Sequence, residues 1–224
     1  MAPLRPAPND RLRGPRAEGA RPRAGNTTPR FDADYYRRYY LDPATRVDDA
    51  AHHASLVCGV VSMVEYFGVR LRSVLDVGAG IGRWGDWLRK HRPTTSVLST
   101  EMDPEVCARY GHERRDIARW RSNKKFDLVV CQGVLPYLDD ASAAAALDNL
   151  GAMSRGFLYL EAITRSDLDD VCDLKRTDAS VHRRTGAWYG KRLATHYRRV
   201  GAGLFYVHDG PLQFYELEAS PSRT

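Results

Sequence analysis

The sequence has no long apolar run. Stretches such as Leu128–Cys131 and Phe157–Leu160 fall far short of the roughly 20 residues that cross a bilayer, so no membrane span is expected. The N-terminus lacks an apolar h-region and residues 1–54 contain no serine, so neither a secretory signal nor a transit peptide is expected. Cys58, Cys107, Cys131 and Cys172 are scattered, without a CxxC pair. That disfavours a disulfide framework or a cysteine-rich zinc site, and suits reduced, mostly buried thiols in a cytoplasmic protein. No Gly-Lys-Ser/Thr is present, which argues against a P-loop NTPase. No internal repeat is visible.

What is present begins with charge. The net charge is +6, but residues 1–30 hold seven arginines (5, 11, 13, 16, 21, 23 and 30) against Asp10 and Glu18. That segment carries +5, which leaves only +1 for residues 31–224. The basic character therefore belongs to a Pro/Arg/Ala/Gly tail with few apolar side chains, expected to be disordered. A nearly neutral remainder makes nucleic acid an unexpected partner. The hydrophobic content of 43% is that of an ordinary globular core.

Beyond the tail, helical and strand patterns alternate. Phe31–Tyr40 reads as an aromatic-basic helix that Asp42-Pro43 ends. Ala50–Tyr66 reads as a longer helix, with Leu56, Val60, Met63, Val64 and Phe67 near helical spacing and Gly68 at the C-cap position. Strands are predicted at Ser73–Val77, Ser96–Thr100, Phe126–Cys131 and Phe157–Glu161, and helices at Ile81–His91, Pro104–Tyr110 and Ala141–Met153. A polar helical region spans about Ser166–Val200. Leu204–His208 and Leu212–Glu218 flank Asp209-Gly210, the signature of a hairpin. Alternation of this kind predicts an α/β protein with a doubly wound, mostly parallel sheet, to which a terminal hairpin adds antiparallel strands.

The first strand runs into Leu75-Asp-Val-Gly-Ala-Gly-Ile-Gly82. Glycines at 78, 80 and 82 allow backbone to approach a ligand at a helix N-terminus, where unpaired N–H groups attract negative charge. Such a loop can serve S-adenosylmethionine (SAM), NAD or a phosphate. The dinucleotide spacing counted from Gly78 places Arg83 where the third glycine belongs, and the literal match Gly80-x-Gly82-x-x-Gly85 starts inside the predicted helix. Asp76, a carboxylate at a buried strand end, needs a partner. It can accept hydrogen bonds from its own glycine loop, and it can also orient a cationic part of the ligand.

The stretch Val74–Gly82 resembles motif I of the class I (Rossmann-like) SAM-dependent methyltransferases. The resemblance extends over roughly residues 70–218. It implies a seven-stranded sheet whose last two strands form a hairpin, SAM as cofactor and S-adenosylhomocysteine (SAH) as product. Residues implied in SAM binding are Asp76, Gly78, Ala79, Gly80 and Gly82 in the loop. Glu101, 23 residues past Gly78 in Leu98–Glu105, is implied to take the ribose hydroxyls, with Met102 on the adenine. Arg115-Asp116-Ile117 resembles the adenine-reading turn, where Asp116 and a backbone N–H of Ile117 meet the ring; a plain turn is the alternative. Cys131–Leu138 resembles the motif after the fourth strand, with Gln132 and Val134 beside the methionine part. No Asn-Pro-Pro-Tyr motif and no catechol-type metal set are present. Asp139-Asp140 reads as a cap of the following helix.

Two segments are candidates for the acceptor pocket. Residues 31–70 are expected to form an N-terminal helical lid, within which Tyr36 would meet the acceptor and Tyr40 or Arg46 the SAM carboxylate; an amphipathic packing helix is the alternative. The second is an insertion at 164–197 within the SAM-binding domain 71–224. Its Thr177–Tyr197 part is dense in polar and aromatic residues, among them His182, Arg184, Trp188 and Tyr189. His182 is the candidate general base, against the alternative of a solvated histidine. Arg184 would clamp an acceptor carboxylate or make a surface ion pair, and Tyr137 would line the pocket. The expected activity is methylation of O, N or C of a small-molecule acceptor. The alternative is an RNA or protein methyltransferase tethered by the basic tail. A homodimer is compatible with the apolar sheet-edge helices.

Overall fold

A computed structural model describes residues 31–220. The expectation of a disordered tail falls on residues 1–30, outside the described residues. The strands are β1 (Ser73–Val77), β2 (Ser96–Glu101), β3 (Glu113–Arg114), β4 (Phe126–Gln132), β5 (Ser154–Glu161), β6 (Tyr197–Gly201) and β7 (Leu204–Val207). They form one seven-stranded sheet in the order β3-β2-β1-β4-β5-β7-β6. Strands β1 to β5 pair in parallel, while β7 runs antiparallel to both β5 and β6. The helices are α1 (Ala33–Tyr36), which continues as a π-helical turn over Arg37–Leu41, α2 (Ala50–Tyr66), α3 (Arg83–His91), α4 (Pro104–Tyr110), α5 (Asp140–Met153), α6 (Arg165–Asp170) and α7 (Gly186–Leu193). No helix among the described residues is long and apolar enough to cross a membrane.

Alternation along the strands builds two cores. Val74, Leu128, Val130, Phe157 and Tyr159 face α2 and α3, where they meet Val57, Val61, Val64, Trp84 and Leu88. Leu75, Val77, Val129, Cys131, Leu158 and Leu160 face α5 and α7, where Leu147, Leu150, Tyr189 and Leu193 cover them. Burying each such valine or leucine is worth about 1.5–3 kcal/mol, so both helical layers are fixed to the sheet. At the amino edge, Asp127 ties three strands together. It accepts from the backbone N–H groups of Arg72 and Ser73 at 2.9 Å and from Arg155 Nε at 2.7 Å. Burial pushes the Asp127 carboxyl up, but the Arg155 bond and the two backbone donors together hold it below its usual range.

Three expectations are corrected, and one strand is not expected from pattern. The buried stripe of α2 is His53, Val57, Val60, Val61 and Val64, whereas Met63 is exposed. The helix is thus rotated from the Leu56/Met63 register, and a histidine lies on its buried face. Strand β3, only two residues long, has no pattern of its own to predict it. The region expected to be helical to Val200 contains an irregular stretch before α7 and then strand β6. The hairpin joins β6 to β7 through Ala202-Gly203, one element before Asp209-Gly210. Both turn residues have positive φ, +47° at Ala202 and +80° at Gly203, as a tight turn matched to strand twist requires.

Ala202 occupies a left-handed conformation that an alanine adopts only at a cost. Ala202→Asn, which creates the Asn-Gly pair such turns favour, is expected to stabilise the protein by about 0.5–1 kcal/mol in urea unfolding with an unchanged m-value.

Candidate functional site

The loop after β1 opens at the carboxyl edge of the sheet, the edge at which parallel α/β folds bind ligands. The N–H groups of Gly78 and Ala79 both donate to the Thr100 carbonyl at 2.9 Å, which ties the loop to β2. Gly78 has φ +68°, and a Cβ there would lie 2.2 Å from Val134 Cγ2. The position needs glycine on both counts. Gly82 caps α3 at its amino end.

Two carboxylates flank this loop. Glu101, 9% exposed, accepts from Gly80 N–H at 3.0 Å and from Met102 N–H at 2.6 Å, so its orientation is set by backbone. Asp76 is 2% exposed, and its Oδ2 has no hydrogen-bond partner among the described residues. The expectation that Asp76 accepts from its own glycine loop is corrected: the N–H groups of Gly78 and Ala79 go to Thr100, that of Gly80 to Glu101 and that of Gly82 to Ala79 O. Burial, followed by the nearby Glu101 charge, raises the Asp76 carboxyl to about 7, with Arg89 pulling weakly the other way. An orphaned buried carboxylate oxygen suits a cationic hydrogen-bond donor brought in by a ligand.

A cleft over the loop holds two adjoining cavities that share lining residues. The larger, of about 160 Å³, is lined by Asp76, Ala79, His53, Arg83, Trp84 and Glu161 among others. The smaller, of about 80 Å³, is lined by Gly80, Glu101, Met102, Val134 and Tyr36. Tyr35, Tyr40, Gly78, Gln132, Gly133 and Tyr137 line both. The glycine loop therefore forms a common floor and the tyrosines a common wall.

The wall comes from α1 and its π-helical continuation. Tyr35 Oη lies 2.7 Å from Tyr137 Oη, and the rings of Phe31, Tyr35, Tyr36, Tyr39, Tyr40 and Tyr137 meet edge to face or tilted. Burial raises the phenols of Tyr35 and Tyr36, and raises Tyr40 to about 12, so all three stay neutral near pH 7. Arg83 latches this segment: its guanidinium donates to the carbonyls of Tyr40 at 3.0 Å and Asp48 at 3.4 Å. Helix α2, by contrast, belongs to the core, so within residues 31–70 the wall itself is built from the segment ahead of it.

Behind the wall lies a polar chain. Trp84 Nε1 donates to Gln132 Oε1 at 2.8 Å, and His53 Nε2 lies 3.2 Å from the same oxygen. Gln132 Nε2 donates to Glu161 Oε2 at 3.3 Å, and Tyr159 Oη donates to it at 3.1 Å. His53 is 8% exposed, and burial followed by the Arg83 charge holds its imidazole below the usual histidine range.

Of the residues singled out from sequence, Asp76, Gly78, Ala79, Gly80, Glu101, Met102, Gln132, Val134, Tyr36, Tyr40 and Tyr137 line the cleft. The others do not. Gly82 acts as a helix cap. Asp116 accepts from Ala118 N–H at 2.9 Å and pairs with Arg119, as a turn residue does, and the Ile117 side chain is buried in the core. Arg46 lies 4.0 Å from Asp49, and the cation at the cleft is Arg83 instead. His182 is exposed, its backbone N–H donates to Pro136 O, and its neighbour Val181 lines the cleft.

Arg184 is corrected in role as well as place. It is 4% exposed and donates to Asp140 and to the carbonyls of Leu135 and Leu138, so a buried guanidinium spends its donors on protein acceptors. Trp188 lies against Arg184 and Arg192, and Tyr189 is in the core. Asp139 caps α5 through Ser142 N–H at 2.7 Å, as expected. The site residues missed from sequence are His53, Arg83 and Glu161. A polar residue on an apolar helical stripe was the available signal for His53, and the carboxyl end of a parallel strand the signal for Glu161.

A family model described as a methyltransferase domain matches residues 40–203. The chain belongs to this methyltransferase family. Among solved structures, it is similar to a SAM-bound amino pentose methyltransferase from Micromonospora echinaspora, with TM-score 0.54 and 16% identity over 71% of this chain and 91% of that one. It is also similar to SAM-bound magnesium protoporphyrin IX methyltransferase from Synechocystis PCC 6803, with TM-score 0.52 and 17% identity over 77% and 88% of the two chains. A SAM-dependent methyltransferase from Clostridium acetobutylicum ATCC 824 matches with TM-score 0.48 and 16% identity over 61% of this chain; there the chain spans 58% of its relative. No curated protein matches the sequence significantly. The fold is the class I SAM-dependent methyltransferase fold, and the cofactor of this family is SAM.

A cationic ligand group beside Asp76 stabilises its charged form, so binding releases a proton wherever the free carboxyl still holds one. With the free carboxyl near 7, SAH binding at pH 7 is expected to release about half a proton, and affinity should rise with pH through 7 to a plateau. Calorimetry in buffers of different ionisation enthalpy measures this release, and Asp76→Asn should abolish it.

Proposed function

We propose that this protein transfers a methyl group from SAM to a small-molecule acceptor held in the larger part of the cleft. The observation that carries the reading is a pair of adjoining cavities over the glycine loop, one lined by a backbone-oriented Glu101 and the other by the orphaned carboxylate of Asp76. A diol acceptor and an ammonium acceptor beside one glycine loop correspond in kind to the ribose and amino groups of SAM. Glu101 would take the ribose hydroxyls, since a carboxylate accepts two O–H bonds, and Met102 would cover the adenine. Asp76 would hold the amino group and Arg83 the carboxylate. Bound SAM supplies the activated methyl on its sulfonium; the protein's share is orientation and exclusion of water.

The acceptor class follows from the enclosing tyrosines. A cavity of about 160 Å³ walled by Tyr35, Tyr40 and Tyr137 suits a small molecule rather than a folded surface. Four free cysteines, two of them buried, suit the reducing cytoplasm.

Titrating SAH into the wild-type chain and into Glu101→Ala tests the reading. Micromolar binding is expected for the wild type, weakened more than tenfold in the variant, or about 1.4 kcal/mol. Absence of binding to the wild type would overturn the assignment.

A further inference from the structure

The geometry points to a small amine, bound as its ammonium ion, as the methyl acceptor, with His53 Nδ1 as the base that removes its proton. The inference rests on the methyltransferase reading and concerns the same cleft.

Charge comes first. Among the described residues lining the larger cavity the acidic ones are Asp48, Asp76, Glu161 and Asp178, and Arg83 is the sole lysine or arginine. SAM brings an ammonium for Asp76, a carboxylate for Arg83 and a sulfonium. Asp178 already has a partner, which leaves Asp48 and Glu161 facing one positive charge, and a cationic acceptor restores the balance where an anionic one would worsen it. The tyrosine wall adds ring faces, which attract ammonium ions. Both donors to Glu161, Gln132 and Tyr159, use its Oε2, so no described residue donates to Oε1.

An ammonium nitrogen has no lone pair and must lose a proton before it can attack carbon. His53 is the buried titratable group suited to that task, and its tautomer follows from its neighbours. An indole N–H can only donate, so Trp84 at 2.8 Å fixes the Gln132 oxygen as the shared acceptor. The Gln132 nitrogen then faces Glu161, consistent with that orientation. His53 must therefore donate through Nε2, which leaves the lone pair of the neutral ring on Nδ1, and no described residue bonds Nδ1. Burial and Arg83 keep the ring neutral at pH 7, as a base must be. Gln132 and Trp84 are positioning residues.

The step balances. One N–H bond of the ammonium breaks, and its proton goes to Nδ1. The freed lone pair forms the N–C bond to the methyl carbon while the C–S bond breaks and its electron pair stays on sulfur. The product is a methylated ammonium ion, and His53 returns its proton to water.

The test uses the full chain saturated with SAH and a set of amines paired with neutral isosteres: phenethylamine with 2-phenylethanol, and cyclohexylamine with cyclohexanol. Calorimetry is expected to show at least one amine binding tenfold or more tighter than its alcohol, with the preference lost in Glu161→Gln. Nitrogen-15 NMR of the imidazole should report Nε2–H and a bare Nδ1 in His53, giving way to mixed tautomers in Trp84→Phe. Alcohols binding as well as the amines, no amine binding, or an Nδ1–H tautomer in the wild type would overturn the inference while SAH binding leaves the methyltransferase reading standing. Failure of SAH to bind would remove that reading first.

Discussion

One oxygen of Asp76 is buried at the end of the central strand without a hydrogen bond from any described residue. Leaving such a group unsatisfied costs on the order of 1–3 kcal/mol, so the fold must hold it there by other means. It does so with β1, which lies between β2 and β4 and sends Val74 into one core and Leu75 and Val77 into the other. The strand cannot withdraw its carboxylate without unpacking both layers. The donors that could have relieved it are committed elsewhere, Gly78 and Ala79 to Thr100 and Gly80 to Glu101. On the proposed function, that unmet demand is what the bound cofactor would meet.

The same economy of parts appears across the cleft. Helix α2 packs four valines against the sheet and uses the same face to deliver His53 to the cavity. Trp84 fills the core beside Tyr159 and also fixes the orientation of Gln132. Arg83 holds the aromatic segment by two backbone carbonyls while lining the cleft. Arg184, from the far side of the sheet, satisfies the carbonyls of Leu135 and Leu138 and so steadies the turn that carries Tyr137. A site built from groups that also hold the core has little freedom to rearrange, which suits chemistry that depends on alignment.

Much of this was legible along the chain because it depends on neighbours in sequence. A glycine loop between an apolar strand and a helix, a carboxylate ending the next strand, and an Asp cap before an alanine-rich helix are local patterns. The residues between β5 and β6 were harder. His182, Arg184, Trp188 and Tyr189 form a dense polar and aromatic cluster, but composition does not say which way each side chain turns. In the fold, one is exposed, one is a buried strut, one stacks between arginines and one is core. The hairpin was displaced for a related reason. Asp209-Gly210 has the better turn chemistry, but the edge of β5 selects Leu204–Val207 as its partner and draws Tyr197–Gly201 with it.

The sequence by itself determined the α/β alternation, the glycine loop and the carboxylates Asp76 and Glu101, since strand period, backbone freedom and charge are properties of short segments. Only the tertiary structure decided that Asp76 Oδ2 lacks a partner among the described residues, that Arg83 rather than Arg46 meets the cleft, and that His53, Gln132 and Glu161 form one chain. Those facts join residues up to 108 positions apart, His53 to Glu161, and no local pattern carries the angle at which α2 crosses the sheet.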